Sequence, residues 1–155
     1  MKFYKYILFF LLSFASFLTF ATHNRAGEIQ LIPVDRSCTK FKAIVVTYTK
    51  ESSPADRPQL TIRWGDGDSS VINRINGNGN GVSLGNDIKY NVYEGVHNYT
   101  GAGAEYTVSI EDPNRNAGVI NIDNSVQTRF FIYSKVFINP FLGGCNSNPR
   151  LLNPP

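Results

Sequence analysis

The run Leu60-Thr61-Ile62-Arg63-Trp64-Gly65-Asp66-Gly67-Asp68-Ser69-Ser70-Val71 decides the fold. Leu60, Ile62 and Trp64 alternate with Thr61 and Arg63, the period of a strand with one face buried. Gly65-Asp66-Gly67 is turn chemistry, because glycine takes positive φ without a steric cost and an aspartate side chain bonds to nearby backbone amides. Ser69 to Ile75 then reads as a return strand. The unit is a β-hairpin with a large aromatic at its shoulder, and the alternation assigns Trp64 to the core.

The flanking stretches carry the same period. Phe41 to Thr49 has the strongest β propensity, with Phe41, Ala43 and Val45 on one face and Ile44, Val46 and Tyr48 on the other, and is expected to be a central strand. A first strand is expected at 28–34, and short or extended structure at Leu84–Tyr93, where Ile88, Tyr90 and Val92 alternate with polar residues. Tyr106 to Ile110, Val119 to Ile122 and Thr128 to Ile138 supply the remaining strands. Phe130, Phe131, Tyr133 and Phe137 fall on both faces of the last one, which predicts a strand covered on both sides or packed against another domain. Between them, Lys50 to Pro58 is a polar loop whose Asp56-Arg57 reads as a surface ion pair. Asn76-Gly77-Asn78-Gly79-Asn80-Gly81 reads as an exposed, mobile loop. That loop lacks the Lys and Ser/Thr of a phosphate-binding loop and opens no apolar helix. Helix-period segments are almost absent, so the chain is expected to be all-β.

At the N-terminus, Met1 to Lys5 is short and basic, Tyr6 to Phe20 is almost wholly apolar, and Ala21 is a small residue suited to cleavage. Residues 1–21 therefore read as a secretory signal peptide, shorter than a spanning helix and without a stop-transfer sequence. Its removal takes Lys2 and Lys5 from the 15 basic residues and leaves 13 against 12 acidic ones. A nearly neutral mature chain lacks the clustered cationic face that nucleic acid requires, and no membrane association is expected after cleavage. Residues 22–142 suit one domain. Residues 143–155, rich in Gly, Asn and Pro, read as a linker-like tail or domain boundary. In an exported chain the default reading of Cys38 and Cys145 is one disulfide; two unpaired thiols, or Cys145 bonded outside the chain, are the alternatives.

Trp64-Gly65-Asp66-Gly67, followed by His97-Asn98-Tyr99 and Tyr106-Thr107-Val108, resembles the polycystic-kidney-disease-type (PKD) repeat over roughly residues 59 to 111. It departs from the common pattern in carrying Ile62-Arg63-Trp64 before the turn and a long insertion from Asn76 to Gly95. The resemblance implies an immunoglobulin-like antiparallel β-sandwich of about seven to nine strands. It also implies a structural role for Trp64, Gly65, Asp66, Gly67, His97, Tyr99 and Tyr106, with His97 ordering the Trp64 turn. More widely, His23 to Ile29, Ser53 to Arg57, Asn86-Asp87, Glu111 to Arg115 and Leu151 to Pro155 make the chain similar to the N-terminal module of gliding-motility-associated surface proteins of Bacteroidetes-type bacteria. That likeness implies a secreted or cell-surface location, with other extracellular domains, surface proteins or glycans as partners.

No catalytic constellation is expected. Asp66, His97 and one of Ser69, Ser70 or Ser109 form a nominal Ser-His-Asp set without a nucleophile elbow. The carboxylates show no glycosidase pairing, and no cofactor is expected. Two cysteines and two histidines at these spacings make no zinc site, and no metal is assigned. Calcium at the loop residues Asp66, Asp68, Asp87, Asp112 and Asp123 is the alternative, although each is equally a turn former. Another is a sugar platform built from Tyr90, Tyr93 and Tyr99. His23, second in the mature chain, reads as part of an N-terminal arm. The expected function is a non-catalytic, exported structural or adhesive module; the alternative is a carbohydrate- or calcium-dependent binding domain.

Overall fold

Period-two alternation becomes eight strands in the structure, a computed structural model that describes residues 24–100, 103–113, 115–139, 141 and 144–149. They are β1 (Asn24–Pro33), β2 (Lys40–Lys50), β3 (Gln59–Arg63), β4 (Ser69–Arg74), β5 (Val82–Ser83), β6 (Ile88–Asn98), β7 (Ala104–Asp112) and β8 (Phe130–Ile138). No α-helix occurs among the described residues, and every pairing between these strands is antiparallel. The expected leader (1–21), His23 and residues 150–155 lie outside the described part.

One hydrogen-bonded path, β1-β2-β6-β4-β3-β7-β8, runs through the strands, with β5 paired onto β6. Its ladders are unequal. β2 pairs along its whole length with β6 and from Phe41 to Thr49 with β1, so it is flanked on both sides, as its propensity predicted for a central strand. β7 and β8 pair from Ala104↔Ile138 to Asp112↔Phe130. The links between these blocks are short: β4 meets β6 only at Asn73↔Glu94 and Arg74↔Tyr93, and β3 meets β7 only at Ile62↔Ile110 and Arg63↔Ser109. β1 and β8, the ends of the path, lie beside one another, so the sheet curls until it nearly closes.

Alternation decides which side chains point inward. Phe41, Ala43 and Val45 of β2, Ile62 of β3, Val108 and Ile110 of β7 and Val136 of β8 are almost fully buried in one apolar core with Trp64. Fully burying each large apolar side chain contributes about 1.5–3 kcal/mol. Gly95 of β6 marks the tightest approach within it, since a Cβ there would stand 2.5 Å from Ile72 Cγ2.

Four expectations change. Val119 to Ile122 forms turns and not a strand, and Ile120 is wholly exposed. The segment is bracketed by Gly118 and Asn124, both at positive φ, so the chain turns on either side of it and has no room for an extended run. The Asn-Gly run is a hydrogen-bonded turn organised by Asn76. Its carbonyl accepts from the Gly79 and Gly81 amides, its side-chain amide donates to Tyr90 O (2.8 Å), and its Oδ1 accepts from Val92 N (2.9 Å). Asp56 and Arg57 do not pair with each other. Asp56 holds Arg74 (2.7 Å) and Lys89 (3.3 Å), whereas Arg57 reaches Asp112 (3.1 Å). The Arg74 side chain is 0% exposed; its Nη1 donates to Asn80 O (2.8 Å) and its guanidinium lies 5.9 Å from the centre of the Tyr93 ring. Lastly, the described part of the linker-like tail is attached to the sheet. Cys145 is bonded to Cys38. Beyond it, Asn148 Oδ1 accepts from Leu31 N (3.0 Å) while its Nδ2 donates to Lys135 O (2.9 Å), tying β1 to β8.

Candidate functional site

The Trp64-Gly65-Asp66-Gly67 turn and the end of β6 meet in one cluster. Gly65 is required at the turn: its φ is +90°, and a Cβ would meet the Thr107 backbone at 2.7 Å. Glycine alone reaches that conformation cheaply. Trp64, 0% exposed, seals the hairpin from below, donating Nε1–H to Ser70 Oγ (2.9 Å) and its backbone N–H to Asp68 O (3.0 Å). The His97 ring stacks on the indole at 4.9 Å and 10°, and Tyr99 stands edge-on to that imidazole at 4.7 Å and 89°. Tyr106 packs against Tyr99 at 4.4 Å, and Tyr99 Oη donates to Trp64 O (3.0 Å). The seven residues given a structural role by resemblance are thus brought together, with His97 at the end of β6 beside the turn.

His97 Nε2 lies 2.6 Å from Asp66 Oδ2, and Asp66 Oδ1 accepts the Asp68 amide at 3.1 Å. Burial pushes the Asp66 carboxyl upward, but the hydrogen bonds from His97 and the Asp68 amide together outweigh it and hold the group below its ordinary value. Burial raises the Tyr99 phenol well above its ordinary value, with the Asp66 and Tyr106 charges adding to it, so this hydroxyl stays a donor. Of the nominal Ser-His-Asp set, the structure joins Asp66 to His97, but no hydrogen bond links the imidazole to Ser69, Ser70 or Ser109, and the Ser70 hydroxyl accepts from Trp64. The calcium alternative fares no better as a cluster. Asp87 binds the Ser52 amide (2.7 Å) and faces Arg25 and Lys50, and Asp112 holds Arg57, so the five aspartates do not converge.

The sugar-platform residues are also displaced. Tyr93 and Tyr99 are 1% exposed, and Tyr90 is half-buried against Tyr48. Aromatic surface is instead exposed on β8, where Phe131, Tyr133 and Phe137 are 46%, 59% and 44% accessible. They sit at alternate positions with Lys135, opposite the buried Phe130, Val136 and Ile138. The Phe131 and Tyr133 rings lie 5.9 Å apart. Strand register places polar groups next to them: Arg63, Ser109 and Tyr133 form one row across β3, β7 and β8, and Glu111 sits opposite Phe131. Arg63 (3.1 Å) and Arg129 both donate to Glu111, which lowers its carboxyl from the ordinary value. These residues and Pro113 line a shallow hollow of about 260 Å³. A second hollow, of about 330 Å³, shares Arg63 and reaches Asp68, Ser69 and Thr107. The sequence showed aromatics on both faces of β8, but Arg63, Glu111 and Arg129 are 18 or more residues apart and gave no signal.

The chain matches no family model, no curated protein and no solved structure.

Proposed function

We propose that this chain is a non-catalytic, exported structural or adhesive module of a cell-surface or gliding-associated protein, folded as an immunoglobulin-like, PKD-like sandwich. The observation that carries the reading is the outward aromatic row of Phe131, Tyr133 and Phe137 on the last strand of the path. Exposed aromatics in such a row mark a contact surface, because leaving them in water forfeits the apolar stabilisation that a partner would recover. Three further features support it. The long ladders β1-β2-β6 and β7-β8, joined through two-residue links, suit strands that change layer at the corners of a sandwich. The Cys38–Cys145 bond suits an oxidising compartment and hence export behind the 1–21 leader. The Asp66–His97 pair is held against aromatic rings and has no serine partner, as an ordering element would be.

A second reading, a carbohydrate-binding domain, is favoured by one specific feature. Phe131 and Tyr133 offer ring faces beside the Arg63–Glu111–Arg129 group, and sugar rings present an apolar face together with hydroxyls that charged and amide groups bind. Both readings are tested with the variant Phe131→Ser/Tyr133→Ser/Phe137→Ser. The secreted chain and this variant are compared for retention on the surface of the producing cells and on insoluble polysaccharides, after circular dichroism has established equal folding. Retention that the substitutions abolish supports adhesion through β8, on cells alone for a protein partner and on polysaccharide for the second reading. Equal retention of both proteins would sink the assignment of this face.

A further inference from the structure

Asp66, Asp68 and His97 each offer one metal-binding atom, and these atoms lie within 4.8 Å of one another. The chemistry of the set is mixed, with one imidazole nitrogen and two carboxylate oxygens. Such a set suits zinc and its first-row neighbours better than calcium, which takes six to eight oxygens. In the tetrahedral arrangement of zinc, two ligands at bond lengths of about 2.0–2.2 Å lie about 3.3–3.6 Å apart. The exposed Asp68 carboxylate therefore has to swing inward by roughly 1 Å to complete the set.

Two further features bear on this. The His97 ring is clamped between the indole face of Trp64 and the edge of Tyr99, so the direction of its Nε2 is fixed before any ion arrives. Asp68 is exposed and forms no ion pair and no side-chain hydrogen bond among the described residues, and the His97 and Asp66 side chains keep 12% and 20% of their surface accessible, so the pair can be reached from water. We propose that the turn binds one divalent transition-metal ion of the zinc class through His97 Nε2, Asp66 Oδ2 and an Asp68 carboxylate oxygen, with the remaining positions filled by water. Binding replaces the 2.6 Å His97–Asp66 hydrogen bond with two bonds to the metal. In a neutral imidazole the proton leaves Nε2 for Nδ1, and in a protonated one a proton is released to solvent. The ion bridges the hairpin turn to the end of β6, so it stabilises the folded chain.

The structure supplies its own reporter. Trp64 is the only tryptophan and stacks on the proposed ligand, so nickel or copper at the site quenches its emission. The test titrates the secreted, disulfide-bonded chain with zinc chloride by calorimetry and with nickel chloride by Trp64 fluorescence, with calcium chloride as the comparison. Variants are Asp68→Asn, which leaves the His97–Asp66 pair intact, and His23→Ala, which removes the only other histidine. Binding of one zinc per chain is expected, unchanged in His23→Ala and weakened more than about tenfold in Asp68→Asn, a loss that even outer-shell partners produce. Equal melting temperatures of the two unliganded proteins show that Asp68→Asn folds. No zinc binding, unweakened binding in Asp68→Asn, binding lost in His23→Ala, or calcium binding as tightly as zinc would each overturn the proposal.

Discussion

Replacing Gly95 with alanine tests the packing that supports the Trp64 turn. The added Cβ would lie 2.5 Å from Ile72 Cγ2 and 3.4 and 3.5 Å from the Trp64 ring carbons Cζ2 and Cη2. Carbon atoms rest at about 3.5–4.0 Å, so the Ile72 contact is too close by about 1 Å. Neither neighbour yields readily: Ile72 is β-branched and 3% exposed, and Trp64 is fully buried beneath His97. The easiest relief is to part β4 from β6, whose ladder holds only two residue pairs. Overpacking of this kind costs about 1–3 kcal/mol, and removing a strand glycine returns about 0.5–1 kcal/mol. The net expectation is a loss of about 1–2 kcal/mol, or about 4–8 °C in melting temperature for a domain of this size. Urea unfolding followed by Trp64 emission measures it. Ile72→Ala removes the clashing methyl and costs about 2–5 kcal/mol alone, but in the double variant the new Cβ occupies part of the vacated space. The double variant should therefore be more stable than the sum of the single losses by about 1 kcal/mol or more. A Gly95→Ala protein as stable as the parent, or strict additivity, would refute this account of the core.

Three other outcomes follow from the geometry. Substituting both Cys38 and Cys145 with serine opens a loop of 107 residues in sequence separation and frees the tail bearing Asn148. Chain-entropy reasoning puts the loss near 4.7 kcal/mol, and a loss below about 1 kcal/mol in urea unfolding would contradict it. Asp56→Asn leaves the buried Arg74 guanidinium without its carboxylate; because Asp56 is 45% exposed, the expected loss is about 2–3 kcal/mol, below that of a fully buried pair. Arg74→Met should cost less, so the reverse ranking in thermal melts would count against a desolvation cost at Arg74. The Asp56 and Asp66 carboxyls are both held below their ordinary values. Groups lowered in the folded state contribute stability above their unfolded values and lose it as pH falls through the folded ones. Urea midpoints should thus stay level above about pH 5 and fall steadily below about pH 4, less steeply in Asp66→Asn. A midpoint that rises on acidification would exclude this linkage.

Much of the strand layout was legible because it is written in neighbouring residues. Leu60, Ile62 and Trp64 alternate, and so do Phe41, Ala43 and Val45; a strand with one buried face needs nothing further to be recognised. The hairpin turn was equally local, since Gly65 and Gly67 supply the positive φ values that its geometry demands. Val119 to Ile122 misled for the same reason: its apolar β-formers satisfy a local rule, but the positive φ of Gly118 and Asn124 turns the chain on either side and leaves Ile120 in water. Tyr93 and Tyr99 misled as sugar-platform candidates because a tyrosine reads alike in sequence whether its hydroxyl reaches water or a carbonyl such as Arg57 O or Trp64 O.

The sequence by itself determined the all-β class, the hairpin around Trp64 and the central place of β2, because periodicity and turn chemistry act over a few residues. Only the tertiary structure decided which aromatics face water, how Arg74 is buried against Asp56, and that His97 meets Asp66 across 31 positions. Those outcomes depend on strand register and on which edges remain free to pair. Both are set when distant segments compete for the same neighbours, and no local pattern records the result.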